Sequence, residues 1–322
     1  MKHFITHQSA LEYWRRPSDV HVGIKHNPKR QKAPKMPTDT PSALQLAEVM
    51  HLTVPIDISV NNKSARRRQE AVRYHVAAND LPGNSVVSVR KGVGVSSPES
   101  CFLQMAEQLT LAELIALGLE LCGSYSLYNH NEPRDNISQG FYSRPPLTTI
   151  KKLAAFVSKT EGRRGHKKAE RSLRYIGDNS ASPQETILSI LLTLPYNFGG
   201  YGLPMPKLNA RIVPKGAAKL SSSKRSYYCD LYWPEYMLAV EYDSDTYHTG
   251  AERIASDSKR RNALSKLGIV VITVTNQQIS NSVEFEKDAK QIASSMGKQL
   301  RHNRTPGFRD TQHQLRKVLR RR

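Results

Sequence analysis

The chain has 322 residues, 38% of them hydrophobic, which is enough for two ordinary domains with packed cores. Its 48 Lys and Arg stand against 28 Asp and Glu, a formal charge of +20, and that imbalance favours a polyanionic partner, above all a nucleic acid. No apolar run approaches the roughly 20 residues that cross a bilayer, the start MKHFITHQSALEYW lacks a signal-peptide core, and three scattered cysteines suit a reducing cytoplasm better than a disulfide framework or a zinc site.

In chain order, Ser9 and Glu12 have capping-box spacing and predict a short helix over 10–16. The Pro- and Lys-rich stretch 26–42 reads as an exposed linker or arm, so residues 1–50 are expected to stand apart as a helix and a basic arm. From 52 onward the pattern turns to strands, LTVPIDISV, AVRYHVAA and NSVVSVR. Ser97 and Pro98 open a helix and TLAELIALGLELCG forms a second, stopped by Gly123. A polar loop over 124–147 leads to helices at 148–158 and 165–176. Together 51–178 predict an α+β region.

The last third has a clearer order. Ser182, Pro183 and Glu185 start the helix SPQETILSILLTL. Strands follow at KLNARIV, SYYCDLYW and YMLAVEYD, the last two joined by a tight Trp233-Pro234-Glu235 corner. A basic helix over 251–267 closes at Gly268, and the β-branched IVVITVT predicts a strand buried on both faces. A final helix starts near Asn281 and Glu284. Residues 179–300 therefore predict an α/β domain of αβββαβ order, with 301–322 as a basic tail.

The positive charge is clustered. Windows 25–35, 63–73, 159–174, 214–226 and 301–322 hold 29 of the Lys and Arg beside four acids. Solvated linkers would look similar, but five windows of one sign predict a phosphate-tracking surface. The candidate contacts are Arg163, Arg164, Lys224, Arg225, Lys259, Arg260 and Arg261.

The most informative stretch is YYCDLYWPEYMLAVEYDSDTYH. Strand alternation puts Asp230 on a face with Tyr228 and Tyr232, and Cys229 on the other; Glu241 and Asp243 share a face with Ala239. Carboxylates gathered on adjacent strands repel one another unless a cation sits between them. Oxygen ligands with residual waters are the Mg²⁺ or Mn²⁺ pattern, so Asp230, Glu241 and Asp243 are the expected metal ligands. A bound metal would polarise a phosphodiester and acidify the attacking water. A capping box would account for Glu185 alone, and a helix-surface ion pair for Asp257 and Arg260.

Asp230 followed after ten residues by Glu241-x-Asp243 resembles the PD-(D/E)XK nuclease motif. With His248, Asp257-x-x-Arg260, Leu264, Gly268 and VVITVT, the stretch is similar to the Vsr-related endonuclease family, named after the very-short-patch-repair nuclease. In that family a Glu at the start of the preceding helix joins the site, which Glu185 matches. The resemblance thus implies a restriction-endonuclease-like fold and catalytic roles for Glu185, Asp230, Glu241, Asp243 and His248. Upstream, RYHVAANDLP, VSSPESCFLQMAEQLTLAELI and GRRGHKKAERSLRYI resemble the long form of this family, whose nuclease domain follows an AbiEi-like antitoxin-type region. Two positions depart from the pattern: Ser244 replaces the glycine after E-x-D, and Asp243 stands where typical PD-(D/E)XK enzymes carry lysine.

The implied function is a Mg²⁺-dependent DNA endonuclease or nickase of bacterial defence, repair or mobile elements, cytoplasmic, with an operon-encoded protein as a second partner. A DNA-binding AbiEi-like regulator with a degenerate nuclease domain, or an RNA-cleaving toxin, would fit the same residues. No P-loop, G-x-G-x-x-G, zinc signature or catalytic triad supports ATP, redox or acyl-transfer chemistry.

Overall fold

A computed structural model describes residues 1–17, 25–26, 32–35, 37–65, 69–77, 81–128, 140–214, 225–243 and 251–320, with the backbone alone at 25–26, 65 and 251–257. The chain is mixed α/β and divides into two compact units, residues 1–174 and 175–322. No helix among the described residues is long and apolar enough to cross a membrane.

The first unit is built on a six-stranded mixed sheet of order β2-β5-β6-β1-β3-β4. Its strands are β1 (His3–Ile5), β2 (Lys25–His26), β3 (Ile56–Val60), β4 (Val72–Val76), β5 (Val86–Arg90) and β6 (Val93–Ser96). The expected separation of residues 1–50 does not hold. β1 lies inside the sheet, parallel to β6 and antiparallel to β3, and this placement buries Phe4 and Ile5 completely. Helix α1 (His7–Trp14) follows at once, with Leu11, Tyr13 and Trp14 buried. Within the stretch read as an arm, α2 (Thr40–Met50) begins, capped by Asp39, which accepts the Ser42 N–H at 2.8 Å.

Ser9 and Glu12 do not form the capping box their spacing suggested. Ser9 turns its amide (3.3 Å) and hydroxyl (3.4 Å) to Asp57 on β3, and Glu12 accepts the Thr53 N–H at 2.9 Å. Asp57 also binds His75 at 2.7 Å and Arg73 at 3.2 Å on β4. These partners outweigh its burial and hold the carboxyl below its usual pKa. One buried carboxylate therefore ties α1 to two strands. Helices α3 (Pro98–Met105), α4 (Leu111–Leu121), α5 (Ile150–Val157) and α6 (His166–Ser172) complete the unit. The segment read as a polar loop contains a two-stranded sheet, β7 (Tyr125–Leu127) with β8 (Phe141–Ser143).

In the second unit, α7 (Pro183–Thr193) precedes β9 (Lys207–Ile212), β10 (Tyr227–Trp233) and β11 (Leu238–Asp243), then α8 (Ala251–Lys266) and β12 (Val270–Thr275). The sheet order is β12-β11-β10-β9, with β9, β10 and β11 antiparallel and β12 parallel to β11. β12 is thus an edge strand, and it is not buried on both faces: Val270 is 52% exposed while Ile272 and Val274 are buried. Its β-branched composition fits a pleated strand as well as a doubly buried one. Helices α9 (Asn276–Ser280), α10 (Ser282–Ser295) and α11 (Phe308–Arg320) follow. The last is the segment expected to be a tail. It folds back because Phe308, Leu315 and Leu319 share one face and are buried.

Candidate functional site

The hairpin β10–β11 positions the acidic residues. Trp233 anchors its tip, buried and donating its indole N–H to Pro204 O at 2.8 Å. The corner Pro234–Tyr236 is a single 3₁₀ turn, and Met237 takes the left-handed conformation (φ 46°) that reverses the chain. From there Trp233 pairs with Leu238, Tyr232 with Ala239 and Leu231 with Val240. The pairing then stops, immediately before Asp230 and Glu241. Asp230 Oδ2 accepts the Tyr242 N–H at 2.8 Å, a donor that a continuing ladder would have given to main chain.

This opening breaks the strict alternation expected from the sequence. Cys229, assigned to the face away from the carboxylates, packs with Tyr232, Ala239, Leu264 and Ile269 and lies beside Glu241. Burial, then the neighbouring Glu241 charge, push its thiol up to about 12, so Cys229 is an apolar neighbour here and no nucleophile. No pattern of residue types marks such a break in advance.

Glu241 is 9% exposed. Its Oε2 accepts from Arg260 Nη2 of α8 at 2.7 Å, and the same guanidinium group donates to Tyr228 O. Its Oε1 is buried and receives no N–H or O–H donor; the neighbouring Cys229 thiol is only a weak donor to this carboxylate, so a proton or an external cation would still lower the cost of burying it. Burial, then Asp230, raise the Glu241 pKa to about 7 despite Arg260. Asp230 is itself raised by burial.

Glu185 enters from the first turn of α7, which packs on β10 and β11. Its carboxylate accepts from Ala181 N at 3.0 Å and Ser182 Oγ at 2.9 Å, while Ser182 Oγ accepts the Glu185 N–H at 3.2 Å. The capping role is therefore real. Burial, then Asp230, nevertheless raise this carboxyl to about 7, with Glu241 contributing, so the capping residue shares the field of the strand carboxylates.

Asp243 sits exposed at the end of β11, paired in register with Thr275. With Glu241, Arg260, Arg261 and Thr273 it lines a cleft of about 200 Å³. Among the described residues no three His, Cys, Asp or Glu side chains converge tightly enough to hold a metal by themselves. The donor set still suits Mg²⁺, which commonly takes one or two carboxylates and fills its other positions with water and phosphate oxygens. Asp230 and Glu241, close enough for the Asp230 charge to raise Glu241, are the carboxylates that would supply such ligands.

Of the expected phosphate contacts, Lys259, Arg261 and Arg225 are exposed in the second unit, and Arg260 is turned inward to Glu241. Arg163 and Arg164 line a cleft of about 940 Å³ in the first unit, with Lys167 and Lys168. Lys168 is tied to Leu109 O at 2.6 Å, and Glu107, Glu161 and Glu170 line the same cleft. His248, Lys224, Ser244 and the side chain of Asp257 lie outside the described residues.

Comparison with protein-family models, with curated proteins and with solved structures finds no match for this chain.

Proposed function

We propose that residues 175–322 form a restriction-endonuclease-like core that hydrolyses phosphodiester bonds of DNA with Mg²⁺ or Mn²⁺. The observation that carries this reading is the gathering of Glu185, Asp230 and Glu241 from a helix and two strands, with Glu185 and Glu241 both titrating near 7. Carboxyls raised by burial, and in Glu185 and Glu241 also by the Asp230 charge, beside a guanidinium group, occur where a site is arranged to receive charge. The αβββαβ order and the resemblance of the motif residues to Vsr-related nucleases support the same assignment.

Asp230 and Glu241 would hold the ion, with Asp243 at the mouth of the cleft. When bound, the ion polarises the phosphodiester and lowers the pKa of the attacking water. Arg260, on the α8 side of Glu241, supplies a fixed positive charge for a phosphate oxygen. Water oxygen adds to phosphorus, one P–O bond breaks and the leaving oxygen takes up a proton. Glu185 and Glu241 set how much negative charge faces the phosphate near neutral pH.

The test is cleavage of plasmid and single-stranded DNA in Mg²⁺, Mn²⁺ or EDTA. Cleavage is expected only in the metal arms. It should be lost in Glu241→Gln and Asp230→Asn while DNA affinity stays equal or rises. The Arg260–Glu241 ion pair favours a second reading, because it neutralises the carboxylate without a metal, as in a DNA-binding regulator with a silent nuclease core. Wild-type protein that binds DNA and cleaves neither DNA nor RNA in any metal would establish that alternative.

A further inference from the structure

Helix α11 carries charge in an ordered way that the composition of the C-terminal segment does not reveal. Its exposed residues include Arg309, His313, Lys317 and Arg320, at spacings i, i+4, i+8 and i+11. At 100° per residue these fall within a stripe about 80° wide, running about 16 Å along the helix. Arg301 and Arg304, in the turn that precedes the helix, are also exposed, and Asp310 is the one exposed acid of the helix. The packed face runs from Arg316, at the edge of the stripe, round to Leu315 and Leu319. Phe308 packs against His302 (4.9 Å between ring centres) and Tyr201 (5.6 Å), and Arg316 lies over the Phe285 ring at 5.1 Å. Arg316 also donates to Ile279 O, and Arg320 Nη2 donates to Ser280 O at 2.7 Å, so the helix is fastened to the end of α9.

We infer that the Arg309–His313–Lys317 face of α11 is a docking surface for the phosphate backbone of duplex DNA. A basic amphipathic helix suits either a polyanion or an anionic lipid surface. Lipid insertion needs the apolar face free, and here that face is buried in the second unit. Charge complementarity then selects the partner with the densest fixed negative charge, one per about 1.7 Å of duplex axis. Arg309 and Lys317 stand two turns apart, about 12 Å, on a rigid element, with His313 between them. This inference builds on the DNA partner proposed above. It does not depend on catalysis.

The experiment measures binding of the full-length protein to duplex DNA across a salt series in EDTA, where no hydrolysis occurs. Arg309→Gln/Lys317→Gln is compared with the charge-keeping Arg309→Lys/Lys317→Arg. Both variants leave the buried face intact and should melt as the wild type does. The slope of log K against log salt should fall by about 0.9 per lost contact, near 1.8 for the Gln pair, and remain unchanged for the charge-keeping pair. An unchanged slope in the Gln pair overturns the inference. So does a variant that keeps its DNA affinity and loses binding to vesicles containing anionic lipid. Failure of cleavage in Mg²⁺ with this slope change intact would remove the nuclease reading and leave the docking surface standing.

Discussion

Glu241 holds two opposed demands on one side chain: Oε2 pairs with Arg260, and Oε1 is buried with no N–H or O–H donor, beside the weakly donating Cys229 thiol. Its pKa of about 7, like that of Glu185, makes a prediction with a definite sign. An acid whose pKa is raised on folding binds more protons folded than unfolded between its two pKa values, so stability falls as pH rises through that window. The metal-free protein should lose stability between about pH 4.5 and 7 and level off above, by on the order of 3 kcal/mol for one such carboxyl. Metal binding runs the other way, because the ligands must be deprotonated. Melting temperature should therefore rise more with Mn²⁺ at pH 8 than at pH 5, and Glu241→Gln should flatten both trends. A Mn²⁺ shift equal at the two pH values, or equal in the variant, would count against the site.

At the scale of elements, α11 shows why a charged C-terminal segment is not a tail. Gly199 is left-handed (φ 82°), and a Cβ there would lie 2.7 Å from Thr311 O and from Gln312 Cα. The backbone of 196–199 and α11 are thus in direct contact, and only glycine allows the approach. Gly199→Ala should cost roughly 2–4 kcal/mol through strained φ and forced separation of the two segments. Deleting 301–322 should do more, because Phe308, Leu315 and Leu319 leave Tyr201 and Phe285 uncovered. Chemical denaturation is the measurement: the deletion should abolish the cooperative unfolding of the second unit, whereas Arg309→Gln/Lys317→Gln should not. A deletion variant that unfolds like the full chain would show that α11 contributes no core.

For the whole molecule, the two units separate the proposed chemistry from the rest of the chain. Glu185, Asp230, Glu241 and Asp243 all belong to 175–322, while the Asp57 hub and the six-stranded sheet belong to 1–174. A ligand that binds only the native state stabilises the unit that binds it. Mn²⁺ should therefore slow amide exchange in α7, β10 and β11 and leave β3, β4 and β6 unchanged. Hydrogen exchange followed by peptide mapping reads this directly. Slowing spread evenly over both sheets would point to nonspecific metal binding to the surface.

The αβββαβ order, the Ser182 cap, the turn at Pro234 and the clustering of acids around Glu241 were legible in the sequence. Each rests on local spacing: apolar periods, cap residues and turn residues act over a few positions and leave their marks there. Strand alternation brought Glu241 and Asp230 to neighbouring strands correctly and placed Cys229 on the wrong side, because the ladder opens where Asp230 takes the Tyr242 amide. Other features depended on partners far away in the chain. The three-residue β1 becomes an interior strand only when Val93–Val95 and Ile58 flank it, and Ser9 forgoes a cap for a carboxylate 48 positions on. Nothing in the sequence places Arg260 against Glu241; the crossing of α8 over the sheet does. α11 reads as a basic, phosphate-contacting tail, and only Tyr201 and Phe285 show the surface that its apolar stripe covers. Periodicity can state that a face is apolar. Which surface buries it, and which charge then meets which, is a matter of long-range packing that the tertiary structure alone decides.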